Sequence, residues 1–372
     1  MRLREWFVFA LLFVFAALTL CACKKAEGEK KESFLQIGEF AVNRISADRT
    51  EVTDGAGRKL LLIPRNAPMP KDYNPNQVIR VPVKSVVAYG DFEIATLRAL
   101  GVLEDTLVGV TRPEKKWYYD DVKNGFKSGK IVFLGEPQSL DYEKLKNQQP
   151  ELVLTWDPSV IPMLEDLHIP AIVTSTPIAM CLNARMKFVK FLAPFFNKDK
   201  EADLYFDKVN KSLIALRERT AQSKNKQKVM WGDIYEKRVL VEPGNAWVGE
   251  LLGYAQTNYL FNDVYGTSCI EISVERFLHS GEEADVYFTY RSKGAGATSK
   301  EALARTNPLV KTIRPLTHGK VFIPLPHYTQ SGDKLDEIFT ELAAIVHPDV
   351  YPDYKLKYFE ELPAKEPNTK GK

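Results

Sequence analysis

Residues 198–223 constrain this chain more than any other stretch. Ala202, Phe206, Val209, Leu213 and Leu216 fall three and four residues apart while Asp203, Lys208, Lys211, Glu218 and Arg219 fill the other positions, a spacing that predicts one amphipathic helix. Asn197 is placed to cap its start, with Asp199 and Glu201 in the first turn, and the polar run 222–227 leads into the strand-like Lys228-Val229-Met230-Trp231. At 1.5 Å per residue such a helix is roughly 35–40 Å long, enough to cross a domain, and its apolar stripe is narrow. A narrow stripe suits a strut. The sequence on both sides reads as α/β, so the expected architecture is two lobes, each a mostly parallel sheet flanked by helices, joined by a single long rigid helix.

Residues 1–22 stand apart as an export signal. Arg2 and Arg4 precede an apolar run from Trp6 to Leu20, short of the ~20 residues a bilayer span needs. Leu20-Cys21-Ala22-Cys23 then gives way abruptly to Lys24, Lys25, Glu27, Glu29, Lys30 and Lys31. This junction resembles the bacterial lipobox, which implies that Cys23 is the lipidated first residue of the mature chain and 23–33 a solvated tether; a plain secretory signal or an anchor helix is the alternative. The rest exceeds one typical core, so two lobes are the natural division. With 51 basic and 48 acidic residues the net charge is only +3, which leaves no nucleic-acid footprint in the balance. Cys181 and Cys269, on opposite sides of the long helix, are expected to be buried free thiols.

The chain then divides as follows. An N-terminal lobe, 34–196, opens with a β-hairpin around Asp54-Gly55-Ala56-Gly57 and continues as alternating strands and helices, from Val83–Tyr89 through 141–147, 152–155 and 160–167 to 171–174. The linking helix occupies 197–224. A C-terminal lobe, 225–350, restarts the alternation, and its segment 272–290 looks like a diverged copy of 140–156. In both copies a capping residue, Asp141 or Ser273, precedes a glutamate, Glu143 or Glu275, in the first helical turn. Residues 351–372 are an extension with a Lys/Pro/Glu tail, expected to be disordered from Pro363.

Several of these pieces resemble the class III solute-binding lipoproteins of ABC importers, whose members take ferric siderophores, haem or cobalamin. The matching residues are Val52 to Arg58 with Ile63-Pro64, then Ala99-Leu100-Gly101, Val108-Gly109-Val110, the Glu143 and Glu275 segments, Trp247 to Leu252, Gly319 to Phe322 and His347-Pro348, all between about 50 and 350. The resemblance implies a cleft between the lobes that holds the ligand, small closure on binding, and no chemistry or resident cofactor. It also implies that Glu143 and Glu275 dock on arginines of the permease of the transport complex. Their alternative role is to stabilise the positive ends of their own helices, worth about 0.3–1 kcal/mol each. The expected protein is a lipid-anchored monomer on the extracytoplasmic (periplasmic) face of the membrane.

Ligands in such folds sit beyond the carboxyl ends of the strands. The candidates there are Tyr89, Trp117, Tyr118, Trp156, Trp231, Tyr235, Trp247, Tyr290, Arg291 and His327: flat rings to cover a large conjugated ligand, cations to pair with a chelate's negative charge. Arg185 is a further cation, and Lys293 with Gly294-Ala295-Gly296 could form an anion-friendly loop. Each has a packing alternative: Trp117 to Tyr119 as anchors of a surface loop, Trp247 as a helix-packing residue, the glycines as a simple turn, His327 as a ring satisfied by backbone. The five histidines form no close pair, so direct metal binding by side chains is not expected. An iron chelate or related tetrapyrrole is the expected cargo; the alternative is an α/β enzyme of chelatase or oxidoreductase type, although no Gly-x-Ser-x-Gly, His-Glu-x-x-His or dinucleotide fingerprint is present.

Overall fold

The computed structural model describes residues 33–366, apart from residue 237. The export signal, Cys23 and the tail beyond 366 lie outside the described residues. Residues 35–366 belong to one compact unit built on three sheets. The first holds β1 (Phe34–Ile37), β2 (Phe40–Ser46), β3 (Arg49–Thr53), β4 (Lys59–Pro64) and β5 (Val78–Val81) in that order, antiparallel from β2 to β4 and parallel from β4 to β5. The expected hairpin is the β3–β4 pair, and β5 enlarges it by returning beyond the Pro- and Asn-bearing loop.

The second sheet contains β6 (Val86–Ala88), β7 (Leu107–Val110), β8 (Val132–Phe133), β9 (Leu152–Thr155) and β10 (Ala171–Val173), ordered β10-β9-β6-β7-β8 with every pair parallel. β6, β9 and β10 are buried along their whole length, as strands covered on both faces must be. The third sheet contains β11 (Lys228–Tyr235), β12 (Arg238–Val241), β13 (Asn258–Tyr259), β14 (Ile270–Ile272), β15 (Val286–Phe288), β16 (Lys320–Pro324) and β17 (Phe359–Glu361). Its centre, β11-β15-β16, is parallel, and β12, β14 and β17 add antiparallel edges. The fold is α/β with two lobes.

The long helix runs over Asp199–Thr220. Its stripe is divided: Ala202 packs in the N-terminal core with Phe188, Phe191 and Phe195, while Val209, Leu213 and Leu216 pack in the C-terminal core with Ile338, Phe339 and Leu342. Asn197 does not cap it. That residue ends a preceding helix, Leu182–Phe196, in the left-handed conformation at φ 55°, and Lys198 stands at the cap position without a capping bond, its ammonium pairing instead with Glu201 at 2.8 Å. The preceding helix escaped the sequence reading because eleven of its fifteen side chains are buried, which erases the polar face that makes a helix visible. The C-terminal extension is not loose as far as 366: β17 pairs with β16, and Pro363 and Ala364 carbonyls accept from Lys300 N (2.9 Å) and Glu301 N (3.2 Å).

Two networks of bonds position the space between the lobes. The β3–β4 turn is bolted to the end of β10. Buried Asp54 accepts from Ala56 N, Arg58 N, the Arg58 guanidinium and Val173 N, and Gly55 N donates to Val173 O at 2.9 Å. A Cβ on Gly55 would come within 1.9 Å of Ser175 O, so the approach requires glycine. Across the lobes, segment 329–333 is pinned to the Asp91–Ala99 helix and to the loop after β7. Arg98 pairs with Asp121 and with Asp333 (3.0 Å) and donates to Gln330 O; Gln330 bonds Tyr118 N and Lys116 O; Tyr119 and Ser331 share a hydroxyl bond of 2.6 Å. Asp333 is 4% exposed and Arg98 16%, so Arg98→Ala takes the buried partner from both Asp121 and Asp333 and leaves Asp333 only the half-exposed Lys334 ammonium at 3.3 Å. The expected loss is about 3 kcal/mol, read as a lower denaturant midpoint; a change below about 0.5 kcal/mol would show that the lobes do not depend on this pin.

Candidate ligand-binding cleft

The strand ends of both lobes meet over the Leu182–Phe196 helix in a cleft with two chambers. The outer one, about 550 Å³, is walled by Gly90 to Glu93, Arg112, Trp156 and Thr174 to Thr176 from the N-terminal lobe and by Glu242, Ala246, Trp247 and Thr267 to Cys269 from the C-terminal lobe. The inner one, about 300 Å³, is lined by Trp231, Thr289, Tyr290, Pro324 and Tyr328 among others. Arg185, Glu242 and Trp247 belong to both. These sizes fall in the range of small-molecule sites.

The walls combine rings with buried charge. Glu93 is 1% exposed; its Oε1 accepts from the Thr174 hydroxyl and its Oε2 has no protein partner. Gly90 makes room for that carboxyl, since a Cβ there would meet Glu93 Oε2 at 2.6 Å and Trp156 Cδ1 at 3.3 Å. Asp91 pairs with Arg112 at 3.0 Å and accepts from Thr329, leaving Oδ1 unpartnered. Opposite them, Glu242 Oε1 accepts from the Tyr290 hydroxyl at 2.9 Å and from the Cys269 thiol at 3.5 Å. Arg185 lies 4.0 Å over the Phe92 ring and 5.7 Å from that of Trp247, with a buried, unpartnered Nε. Trp231 stacks on Phe288 at 4.5 Å with its indole N–H likewise unpartnered.

Burial sets the protonation of these groups. It raises the carboxyls of Asp91, Glu93 and Glu242, opposed chiefly by Arg112, Thr174 and Tyr290 respectively, and lowers the guanidinium of Arg185. Burial, then the Glu242 charge, pushes the Cys269 thiol up to about 11.

Four of the ten expected ligand residues line the chambers: Trp156, Trp231, Trp247 and Tyr290. Tyr89 and Trp117 lie in the core, at 4% and 3% exposure, with Trp117 Nε1 donating to Arg112 O. Tyr118 and Tyr235 are exposed outside both chambers, and Arg291, under Tyr235, is turned inward to Asp233 at 2.9 Å. His327 Nε2 meets Lys357 O at 2.9 Å, and Lys293 of the glycine loop pairs with Glu360. Neither cysteine is the buried thiol expected: Cys181 is intermediate, and Cys269 is exposed as a residue on the cleft wall, with its sulfur alone tucked against Glu242 and Tyr290. The carboxyls that the sequence reading passed over left one signal. Glu93 lies three and four residues before Thr96 and Leu97, a charge on the buried face of its helix.

Among the described residues no helix is long and apolar enough to cross a membrane. A family model described as periplasmic binding protein matches residues 86–324, well over half of the 372 residues. The chain belongs to this family. The match runs from β6 to the end of β16, so the first sheet lies outside it. An uncharacterized lipoprotein of Methanocaldococcus jannaschii is 28% identical over 82% of this chain and 76% of its own length. A periplasmic heme-binding protein from Pseudomonas aeruginosa superposes with TM-score 0.59 at 18% identity, over 77% of this chain and all of that one. A possible iron-binding periplasmic solute-binding protein from Staphylococcus epidermidis gives 0.57 at 16%, over 72% of this chain and 99% of that one. The two-lobed fold expected from the resemblance is the fold these structures share.

The raised carboxyls have a thermodynamic signature. A folded-state pKa above the unfolded one means that the native protein holds the extra proton, so stability is fullest below the ordinary carboxylate range and falls as pH rises through the folded value. Glu93→Gln removes one such group. The variant should match the parent near pH 4 and exceed it at pH 7, by on the order of 1 kcal/mol, in denaturant unfolding at the two pH values; an equal difference at both would contradict the assignment.

Proposed function

We propose that this periplasmic binding protein is the capture component of an ABC importer, held at the extracytoplasmic face through a lipid on Cys23. In this reading it takes a metal chelate, a ferric siderophore or a metal tetrapyrrole, into the cleft between its lobes and hands it to the permease. The cleft carries the reading. Trp156 and Trp247 face it from opposite lobes, Phe92 and Tyr290 add ring surface, and buried polar atoms without partners wait on its walls. Flat rings cover a chelate's large surface at low entropic cost, and unpaired buried groups gain when a ligand satisfies them. The iron- and heme-binding names of the structural neighbours support the cargo class.

Glu143 and Glu275 fit the docking role by position. Both are exposed in the first turn of helices whose starts are capped alike, Asp141 accepting from Lys144 N at 2.9 Å and Ser273 from Arg276 N at 3.1 Å. Neither has an ion-pair partner among the described residues. An enzyme of chelatase or oxidoreductase type would instead use Glu93 and Glu242 as acid and base, since perturbed carboxyls also mark catalytic sites. The two readings part on whether the ligand is recovered unchanged.

Three of the five tryptophans line the cleft, so intrinsic fluorescence reports binding directly. Titration with ferric siderophores, haemin and cobalamin should give saturable quenching by one class, with the ligand released intact on denaturation. Trp247→Ala should weaken that binding by about tenfold, ~1.4 kcal/mol. No saturable response, or a chemically altered ligand, would contradict capture. For docking, Glu143→Lys with Glu275→Lys should leave affinity unchanged and abolish import in cells; retained import would remove the role from these two residues.

A further inference from the structure

The charges in the cleft are unbalanced in a way that narrows the cargo. Three carboxyls, Asp91, Glu93 and Glu242, line the chambers against two guanidiniums, Arg112 and Arg185, and no lysine or histidine contributes to either wall. Arg112 is committed to Asp91 at 3.0 Å. Among the described residues lining the cleft that leaves Arg185 to meet an anion, with Glu93 and Glu242 standing on opposite walls around it. The cations that the sequence offered for an acidic chelate are committed elsewhere: Arg291 to Asp233 and Lys293 to Glu360.

The unpartnered atoms state the complementary demand. Asp91 Oδ1 and Glu93 Oε2, on residues 8% and 1% exposed, are carboxyl oxygens without partners; Trp231 Nε1, on a residue 3% exposed, and Arg185 Nε are donors without acceptors. All four residues line the cleft. A polyanion would satisfy the two donors but carry its remaining charge into a buried space where one guanidinium is free to meet it and where burial already disfavours the ionised form of the carboxyls, with little solvent to screen it. A ligand whose rim alternates N–H or ammonium groups with carbonyl oxygens satisfies both sets.

We propose, resting on the reading of the cleft as a chelate site, that the cargo is a metal complex of neutral or positive net charge with an amide- or hydroxamate-bearing rim, whose donors are read by Asp91, Glu93 and Glu242 and whose acceptors are read by Arg185 and Trp231. Polycarboxylate and catecholate chelates are excluded by the same groups. The Thr174-Ser175-Thr176 edge, held in place by the Asp54 turn, supplies further neutral hydrogen-bonding groups on the N-terminal wall.

The test is calorimetric titration of the full chain, purified in detergent, with a charge-graded panel: ferrioxamine B (cationic), ferrichrome and cyanocobalamin (neutral, amide-bearing), haemin and ferric enterobactin (anionic). At least one cationic or neutral member should bind ten times or more tightly than every anionic one. Glu93→Gln and Glu242→Gln should each narrow that ratio severalfold. Should either variant fail to fold, the parent chain still decides: affinity for a cationic ligand should fall as salt is raised from 50 to 500 mM, and affinity for ferric enterobactin should not overtake it. Tighter binding of an anionic chelate would overturn the charge assignment while leaving chelate capture intact. Binding of no metal complex at all would overturn both.

Discussion

The Asp199–Thr220 helix belongs to two hydrophobic cores at once. Ala202 near its start is buried with the phenylalanines of the Leu182–Phe196 helix, and Val209, Leu213 and Leu216 with the Leu335–Val346 helix of the other lobe. Because one rigid element is shared, neither lobe can rotate far without exposing apolar side chains of the other, each worth about 1.5–3 kcal/mol when fully buried. The Arg98 network works in the same direction, tying residues 329–333 to the N-terminal lobe, and Tyr205 of the long helix bonds Gly332 O of that segment at 2.9 Å. The two constraints leave a preformed space between the lobes, which suits capture with little closure.

That space stores unfavourable interactions. Glu93, Asp91 and Trp231 each bury a polar atom without a partner, and the carboxyls are pushed up by the same burial. Stability alone would place apolar side chains there, since an unsatisfied buried group costs about 1–3 kcal/mol. Such tension is tolerated where a ligand relieves it. The first sheet contributes from outside the family match: its Asp54 turn holds the end of β10, and with it the threonine and serine edge that faces the ligand space.

The α/β grammar was legible because parallel strands and amphipathic helices write themselves as alternating apolar runs and three-four spacings. The Leu152–Thr155 strand and the Trp247–Tyr254 helix lie where the spacing puts them. The Leu182–Phe196 helix was not legible, since burial on nearly every side removes periodic contrast, and Asn197 was misread because a residue joining two helices serves the end of one as readily as the start of the next. In the cleft, the tryptophans at strand ends were visible as exposed-looking aromatics in loops. Glu242 and Cys269 were not, because their pairing with Tyr290 joins segments that only the third sheet brings together. Arg291 misled for the complementary reason: nothing local indicates that Asp233, on β11, claims it.

Capture in the cleft places the metal complex between Trp156 and Trp247, beside Glu242 and Arg185, under the function proposed above. Anomalous diffraction at the metal's absorption edge, from crystals of the protein grown with its tightest-binding chelate, tests this most directly. The account predicts one strong peak per chain within the cleft, in contact distance of those side chains. A peak on the outer surface of either lobe, or a cleft holding no metal complex at saturating ligand, would contradict it.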